Sequence, residues 1–487
     1  MALRKYSNQG EMWGPSPDLA LPAGHPARAL DEIIEKLGLD RCNRKHLHTA
    51  GEPAYDVRGK VKILIYSYSR GITSSREIAR QCEENIAYQF LSRGDCPDFR
   101  TVARFRRKKR HLVRWVFKKT VQLAQQMGIA RLGLVALDSV KLTANASCGK
   151  KMTGAQIQEE LKKLDEYLHK LESNDQAEDG AYGSEQRGDE LPAAMRAAQQ
   201  RKEKLEKACE ILQKRQAAAK REPPKDISPV DPEAPWVKNN GKVVRGYSGQ
   251  VVADAEHQVI VAVKATDQPV DSEQLNPMLR EVEKATGKAP DQALADSGYY
   301  TDDAILEASE SKTECIVPDS ETAAQLNNPK RGEADSAAYH VSRFNYDEDQ
   351  DEFTCPQGKT LPLVRNGERR GQPTKIYRCA DCHHCPFRAQ CTESASGLRS
   401  IEVRADHAEV RKIRKKFETE VAKALYRRRK AIIEPIFGRW KHNWGIRRLR
   451  LRGLAGFLVE LHLLAIAHNV TKMFGFQQSA AAAAAGQ

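Results

Sequence analysis

The spacing of apolar residues predicts helices for the N-terminal part of the chain. From residue 55 to about residue 127, apolar positions recur with a helical period, with a break at Gly71. Ser74 is placed to cap the helix after that break, and Glu77 three residues later completes a capping box. A longer helix is predicted to begin at Phe99. Short helices joined by a glycine turn indicate a helix-turn-helix-like module.

After residue 130 the pattern changes to short apolar runs, which predict strands. One run begins at Arg131 and ends at Asp138 and Ser139, and another begins at Gln292 and ends at Asp296. Acidic residues are rare inside strands, so each terminal aspartate has either a capping or a catalytic role. With helices between them, these strands predict a mixed α/β sheet. Further strands are predicted at residues 242–252, 258–265 and 314–317.

A charged helical segment interrupts the α/β pattern between residues 151 and 235. Its apolar residues follow one another at intervals of four, three, four and three positions, which is the heptad spacing of paired helices. A second charged helix is predicted at residues 193–220, so we expect an antiparallel helical hairpin that protrudes from the sheet. The heptad positions are Ile157, Leu161, Leu164, Leu168 and Leu171.

The longest apolar run extends from Gly453 to Val470 and contains Glu460, His462 and His468. A bilayer-spanning helix needs about 20 apolar residues, so this shorter, interrupted run predicts a buried core helix. The first residues mix charges with Gly and Pro and do not form the apolar stretch of a secretory signal. We therefore expect a cytoplasmic protein without a membrane partner.

The formal net charge of +14 favours a polyanionic partner such as nucleic acid. Cations concentrate between residues 100 and 119, a segment that contains no acidic residue. Such a helix is typical of contact with a phosphate backbone. The alternative is a charged face that is merely solvated. The residues predicted to bind DNA here are Arg106, Arg107, Lys108, Lys109 and Arg110.

The 11 cysteines fall into a scattered group and a local cluster. An odd total with a cluster indicates a metal site in a reducing compartment, not a disulfide framework. Thiolates at two-residue spacing suit a structural Zn²⁺, which four of the five clustered cysteines would bind. An empty site and a redox role are the alternatives. The clustered cysteines are Cys355, Cys379, Cys382, Cys385 and Cys391.

A cationic segment late in the chain contains one acid, Glu434. In a helix, Arg427, Lys430 and Lys441 share a face with this glutamate. An acid flanked by cations suits a metal ion held against a phosphodiester, with the cations binding the flanking phosphates. The alternative is an exposed helix with ion pairs four residues apart. Pro435 removes a helical N–H, so we expect a kink or a helix start there.

Asp138, Asp296 and Glu434 form a set of three carboxylates from separated parts of the chain. Two divalent ions about 3.5–4 Å apart activate water and stabilise the leaving oxygen in phosphodiester cleavage. Carboxylate oxygens suit Mg²⁺ or Mn²⁺, so we predict a two-metal site on these residues. Asp254 and Asp271 lie beside turn or cap signals and are assigned to those roles.

Three motifs carry a resemblance to a known family. In this order, and behind a basic N-terminal module, they resemble the DDE transposases of bacterial insertion sequences. The resemblance covers roughly residues 30 to 475. The motifs are Ala136-Leu-Asp-Ser-Val-Lys-Leu-Thr-Ala-Asn-Ala146, Ala295-Asp-Ser-Gly-Tyr-Tyr300, and Tyr426 to Lys441 with its Glu-Pro-Ile-Phe-Gly core.

The resemblance implies a ribonuclease-H-like core in which Asp138, Asp296 and Glu434 are the catalytic metal-binding residues. It implies that Lys441 contacts DNA near the scissile phosphate. Lys430 stands where relatives often have arginine, so its contact with phosphate would lack bidentate geometry. The cysteine cluster resembles the cysteine-bearing insertion of related transposases and is not expected to be catalytic, because a closed thiolate site has no open coordination position.

The expected function is metal-dependent cleavage of double-stranded DNA at terminal inverted repeats, followed by strand transfer into target DNA. Joining two ends implies at least a homodimer in the active complex. One alternative is a catalytically silent DNA-binding regulator derived from a transposase, which the intact set of three acids disfavours. Another is a metal-dependent nuclease that does not join strands.

These patterns together predict the domain organisation. A lead-in precedes a helical DNA-binding domain, and the catalytic core is interrupted by the hairpin and by a small zinc-ribbon-like insertion. The boundaries are 1–54 for the lead-in, 55–128 for the DNA-binding domain, 129–150, 236–318 and 401–476 for the core, 151–235 for the hairpin, 319–400 for the cysteine-rich insertion, and 477–487 for a flexible tail.

Overall fold

The fold is that of a computed structural model, which describes most of the chain. Parts of the predicted lead-in, of the polar stretch between the hairpin helices and of the tail lie outside the described residues. The described ranges are 16–43, 55–182, 193–219, 222–239, 241–327, 338–369, 371–417 and 419–485.

The N-terminal region is helical, as the apolar spacing predicts. A helix begins at Phe99, as predicted, but the continuous helix expected over the basic segment 100–119 is wrong, because Lys109 leaves the helical conformation (φ −102°, ψ 36°) and separates two helices. The helices of this region are α1 (Pro17–Ala20), α2 (Pro26–Glu35), α3 (Val57–Ser69), α4 (Ser75–Glu84), α5 (Ile86–Ser92), α6 (Phe99–Lys108) and α7 (Arg110–Gln126).

A mixed sheet follows, with the helical hairpin inserted after its first strand. The elements in chain order are β1 (Leu134–Thr143), β2 (Met152–Thr153), α8 (Gly154–Tyr182), α9 (Ala193–Ala217), β3 (Asp226–Ile227), β4 (Trp236–Asn239), β5 (Lys242–Asp254), β6 (Ile260–Thr266), α10 (Leu275–Thr286), β7 (Gln292–Leu294), α11 (Asp302–Ser309), β8 (Glu314–Ile316) and α12 (Ser320–Asn327).

The central strands of this sheet lie in the order β6-β5-β1-β7-β8, and β4 pairs with the beginning of β5. β5 runs antiparallel to both of its central neighbours, β1 and β6. β7 and β8 run parallel to β1 and to each other. The prediction of a mixed α/β fold with a helical N-terminal region is confirmed.

Helices α8 and α9 pack antiparallel. Ile157 and Leu212 share one buried cluster near the base of the pair, whereas Leu168 packs with Met195 toward the other end. α8 continues to Tyr182, beyond the heptad that predicts it. The short strands β2 and β3 pair where the helices leave the sheet.

The cysteine-bearing region forms a second, five-stranded sheet with its own small core. Its strands follow one another in sequence order across the sheet. Phe344, Phe353 and Tyr377 are fully buried there, together with Cys379 and Cys382. The elements are β9 (Asn345–Asp347), β10 (Glu352–Thr354), β11 (Thr360–Arg369), β12 (Gln372–Arg378), α13 (Arg388–Cys391) and β13 (Ser400–Arg404).

Three helices end the chain: α14 (His407–Phe417), α15 (Glu420–Gly438) and α16 (Leu454–Ala485). A π-helical turn, Arg439–Asn443, follows α15 directly. The segment Leu454–Ala484 is long and apolar enough to cross a membrane, but 72% of its most apolar window is buried inside the protein. α16 is therefore placed as a core helix, as the sequence predicts.

One continuous hydrophobic core joins the N-terminal helices to the central sheet. Helix α16 lies at its centre, because it contacts α3, α6 and α7 on one side and β5 and β6 on the other. Gly249 of β5 makes this close approach possible: a Cβ there would lie 2.9 Å from the ring of Phe457. Helix α16 thus lies between the N-terminal helices and the sheet.

Candidate active site

Asp138 lies within β1, because the strand continues to Thr143. The prediction that the apolar strand ends at this aspartate is therefore wrong, whereas the strand-compatible pattern of residues 141–147 is confirmed as far as Thr143. β1 is paired on both sides, with β5 and with β7. The carboxylate is nearly covered, with 19% of the side chain exposed.

Asp296 follows the end of β7 by two residues. The parallel pairing of β1 with β7 places Leu134 opposite Gln292 and Ala136 opposite Leu294. Continuing this register by two residues places Asp296 beside Asp138, on strands that are about 4.8 Å apart. The negative charge of Asp296 raises the pKa of Asp138, in agreement with this closeness. The structure therefore brings the first two predicted acids together.

A guanidinium that the sequence interpretation did not single out faces these acids. Arg429 Nη1 of α15 donates to Asp138 Oδ2 at 2.8 Å. Burial raises the pKa of Asp138 to about 6, the Arg429 charge opposes this rise, and Asp296 adds to it. Four cations occur in succession at positions 427–430, and the sequence contains no signal that selects the third of them.

Glu434 lies on the exposed side of α15. Arg429 points toward Asp138, and five helical residues correspond to a rotation of about 140°, so Glu434 points away from that ion pair. Arg427 and Lys430 are exposed on the same side as Glu434. Arg427, Lys430 and Glu434 therefore share one face of α15, as predicted. This structure does not, however, bring Glu434 into contact with the two aspartates.

Pro435 lies inside α15 and neither begins nor ends it. The prediction of a helix start at this position is wrong. Proline leaves the carbonyl of the residue four positions earlier without its helical donor. That carbonyl, of Ala431, accepts instead from Gln258 Nε2 at 2.9 Å. A side chain from the β5–β6 turn thus sustains the helix on which Glu434 lies.

Lys441 lies in the π-helical turn after α15, half-buried near the aspartates. Burial lowers its pKa, Arg447 and Lys141 act in the same direction, and the charge of Asp138 opposes them. Wide turns of this kind occur often at functional sites. The turn brings Lys441 to the same site as Asp138.

A second polar cluster lies on the opposite face of the sheet. Side chains alternate along β1, so Ser139 and Lys141 point away from the face of Asp138. Asp271 accepts from Ser139 Oγ at 2.8 Å and from Lys141 Nζ at 3.0 Å. Gln250 Nε2 donates to the same carboxylate at 2.5 Å. The prediction that Asp271 caps a helix is wrong, because its bonds go to β1 and β5.

The predicted DNA-binding cations separate into buried and exposed residues. Arg106 is only 2% exposed and donates to Tyr68 Oη at 3.1 Å and to the carbonyl of Thr73 at 2.8 Å. Its assignment as a DNA contact is therefore corrected to a structural role. The exposed cations of this prediction are Arg107, Lys108, Lys109, Arg110, Arg427 and Lys430.

All five clustered cysteines line one small cavity of about 20 Å³. Two sulfurs already accept backbone N–H bonds, Cys355 Sγ from Lys359 at 3.3 Å and Cys382 Sγ from Arg399 at 3.5 Å. Burial raises the pKa of Cys379 to about 11, so this thiol is protonated unless a cation stabilises its thiolate. Among the described residues, no three His, Cys, Asp or Glu side chains stand in the arrangement of a formed metal site.

Comparisons with known proteins identify two parts of the chain. Residues 354–474 match a family model described as Transposase DDE domain, and residues 16–108 match one described as Transposase domain (DUF772). The first match contains the cysteine cluster, Arg429, Glu434 and Lys441, whereas Asp138 and Asp296 lie outside both. Neither the curated proteins nor the solved structures contain a match to the chain.

Proposed function

We propose that this chain, in which two transposase family models match residues 16–108 and 354–474, is a DDE transposase of an insertion sequence that cleaves DNA at the ends of its element and joins those ends to target DNA. The observation that supports this most directly is the placement of Asp138 beside Asp296 on parallel strands. Two adjacent carboxylates that repel one another need a cation between them, and phosphodiester chemistry uses such cations.

The strand order supports a ribonuclease-H-like core for this proposal. Among the central strands, β1, β5 and β6 come first along the chain and pair antiparallel, and β7 and β8 then extend the sheet on the other side of β1 in parallel. In this arrangement the first strand is central and carries the first acid. The second acid follows the strand that pairs beside it.

The donor set at Asp138 and Asp296 fits a divalent cation, because both groups are carboxylates and hard cations prefer oxygen ligands. DDE transposases generally use divalent metal ions. We propose that Mg²⁺ or Mn²⁺, as two ions, binds these aspartates, and that Glu434, which is exposed on the outer side of α15, becomes the third ligand after α15 rotates toward them. When bound, such ions supply an activated water and stabilise the leaving oxygen.

The residues of the chain hold and orient the substrate. Lys441 lies near Asp138, and Arg427 and Lys430 are exposed on the same side of α15 as Glu434. In the proposed complex these cations bind phosphates on either side of the scissile bond. Water first breaks the phosphodiester at the element end and frees a 3′-hydroxyl. That hydroxyl then attacks a target phosphodiester and displaces a target 3′-oxygen, so the number of phosphodiester bonds is conserved in the joining step.

The decisive experiment uses the purified chain and the DNA that flanks its gene, with its terminal repeats. Asp138→Asn and Asp296→Asn are expected to fold and to bind the repeats but to lose Mg²⁺-dependent cleavage. Asp291→Asn is the matched control, because this aspartate is exposed and lies just before β7. Glu434→Gln is predicted to behave like the two aspartate variants.

Other results of this experiment would contradict the proposal. Mg²⁺-dependent nicking that persists in Asp138→Asn shows that the chemistry lies elsewhere. Repeat binding without any cleavage by the wild-type chain supports a DNA-binding regulator. Cleavage without joined products in a strand-transfer assay supports a nuclease.

The cysteine cavity is proposed to hold one structural Zn²⁺. All five cysteines line this small cavity, and two of their sulfurs already accept N–H bonds of the kind that stabilise thiolates. A shift of the side chains would bring four thiolates to the tetrahedral arrangement that zinc requires. Elemental analysis should find about one zinc per chain. The Cys379→Ser variant should lose the zinc. The Cys148→Ser variant changes an exposed cysteine that is far in sequence from the cluster, and it should retain the zinc.

The proposed partners follow from the reaction. The substrate is double-stranded DNA, as terminal inverted repeats and as target, and bringing two ends together needs at least a homodimer in the active complex. The proposed location is the cytoplasm, on the chromosome. Size-exclusion chromatography with light scattering, with and without repeat DNA, measures the assembly, and a monomer on paired ends would contradict it.

A further inference from the structure

The ion pair between Arg429 and Asp138 joins α15 to the centre of the sheet. The two groups are 2.8 Å apart, and their side chains are only 8% and 19% exposed. Removing a guanidinium from water is costly unless a carboxylate compensates for the lost hydration. The arginine is therefore held in place by the same carboxylate that the proposed reaction requires.

The surroundings of Arg429 show that electrostatics hold it there. Asp296 also attracts the guanidinium and raises the pKa of Arg429, although burial acts in the opposite direction. The ring of Tyr426 lies 5.8 Å from the guanidinium carbon. Nε of Arg429 is buried and has no hydrogen-bond partner among the described residues. The guanidinium of Arg429 is thus attracted by the carboxylates of Asp138 and Asp296, but its hydrogen-bonding capacity is not fully used.

We propose that Arg429 is a positioning residue that takes the place of a divalent cation between Asp138 and Asp296, and that metal binding displaces it. This inference rests on the proposed function of the two aspartates. A single monovalent group neutralises one of two adjacent negative charges, so the acids stay ordered and remain attractive to a divalent ion. Metal affinity is then reduced by the free energy needed to break the ion pair.

The test is calorimetric titration of the full-length chain with Mn²⁺ in the absence of DNA, at about pH 8, where carboxylates are ionised. Arg429→Gln should bind Mn²⁺ about tenfold more tightly than wild type, since a factor of ten corresponds to about 1.4 kcal/mol. Arg428→Gln is the matched control, because it removes the same charge from the neighbouring, exposed position. Its affinity should change less than twofold, as expected for an exposed charge.

Arg429→Lys provides a second variant in case the glutamine variant does not fold, as judged by circular dichroism. An ammonium keeps the charge but not the planar donor fork, so its Mn²⁺ affinity should lie between those of wild type and Arg429→Gln. In the metal-free state, Arg429→Gln should also lower the melting temperature, and saturating Mn²⁺ should restore it. Arg428→Gln should show neither change.

Two results would overturn the inference, and only the second would also contradict the proposed metal site. If wild type binds Mn²⁺ through Asp296 but Arg429→Gln binds equally or more weakly, the arginine assists the metal and is not its substitute. If no variant shows Mn²⁺ binding that Asp296→Asn abolishes, the aspartates are not a metal site. In that case the proposed function of these acids fails together with the inference.

Discussion

Two neighbouring arginines in the basic run have opposite roles. Arg106 is buried at the end of α6, whereas Arg107 is exposed. Tyr68 and Thr73 accept from Arg106, and its charge also acts on the buried Glu460 of α16. Charge alone does not distinguish the two residues, because the distinction depends on which side of the helix meets α3 and α16.

Arg106→Ala is predicted to destabilise the protein by about 3 kcal/mol or more, since removal of one member leaves Glu460 buried without its neighbouring charge. Urea unfolding measures the loss. Arg107→Ala should unfold like wild type within about 0.5 kcal/mol and should instead weaken DNA binding. Equal stability of the two variants would contradict the structural role of Arg106.

The two buried histidines of α16 predict a loss of stability in acid. Burial lowers the pKa of His462 to about 4 and that of His468 to about 3. In the unfolded chain both titrate near 6.5, so between about 6.5 and 4 the unfolded state binds more protons. The free energy of unfolding should therefore fall by a few kcal/mol as pH decreases through this window.

The measurement is urea unfolding at a series of pH values. His468→Gln should have a smaller pH dependence than wild type, because glutamine does not titrate and its amide is able to donate to the carbonyl of Gln258, as His468 Nε2 does at 2.8 Å. An unchanged slope in this variant would show that His468 is not a source of the acid sensitivity.

At the scale of elements, α15 depends on a turn that is distant in sequence. Gln258 lies in the β5–β6 turn and has a positive φ of 57°. Its side chain contacts α15 and α16. Its side chain donates to Ala431 and accepts from Lys472 Nζ at 2.7 Å. The helix that carries Arg429 and Glu434 is thereby linked to α16.

Gln258→Asn is predicted to loosen α15 around Pro435. Asparagine tolerates the positive φ, but its shorter side chain does not reach the carbonyl of Ala431. That carbonyl would be left without a protein donor, at a cost of about 1–3 kcal/mol. Hydrogen exchange should accelerate at residues 436–438 and remain unchanged in α8. Unchanged exchange at 436–438 would show that the glutamine bond does not sustain the helix.

At the scale of the whole molecule, the N-terminal helices and the sheet share a core and also a tight backbone contact. Gly71, with a φ of 75°, lies against the residue that follows the π-helical turn. A Cβ at Gly71 would lie 2.2 Å from the carbonyl oxygen of Trp444. Residues 16–108, which match the Transposase domain (DUF772), thus touch the segment that holds Lys441.

Gly71→Ala is predicted to destabilise the protein more than Gly94→Ala. Both glycines have a positive φ, 75° and 79°, so both substitutions carry the same backbone strain. A Cβ at Gly94 meets nothing within 4 Å. The free energies of unfolding of the two variants should differ by about 1–3 kcal/mol, and this difference measures the steric conflict with Trp444. Equal free energies of unfolding would show that the backbone around Trp444 moves to accommodate the added methyl group.

Net charge makes a prediction for DNA binding as a whole. With an excess of 14 positive charges, the logarithm of the affinity for repeat DNA should fall linearly with the logarithm of salt concentration. Arg107→Ala should reduce the magnitude of that slope by about one, as expected for one lost phosphate contact. Lys163→Ala, in the hairpin and paired with Glu159, should leave the slope unchanged. A slope that Arg107→Ala does not alter would exclude this residue from the DNA interface.

The sequence predicts the fold well where information is local. Helical spacing in the N-terminal region, short apolar runs at β1 and β7, and the long core helix α16 all follow from periodicity that neighbouring residues establish. It also identifies Asp138 and Asp296 as a pair, because each occurs in or just after an apolar run. The sequence pattern divides β1 at Asp138, since Ser139 and Lys141 are polar, although a single strand continues to Thr143.

The sequence by itself determined which groups are available: three acids, a basic segment and five clustered thiols. Only the tertiary structure decided which of them meet. The register of β1 against β7 places two acids side by side, the rotation of α15 directs Arg429 toward Asp138 and Glu434 outward, and the packing of α16 buries Arg106. Pairing and rotation depend on contacts between residues that are far apart in sequence, and local patterns do not encode those contacts.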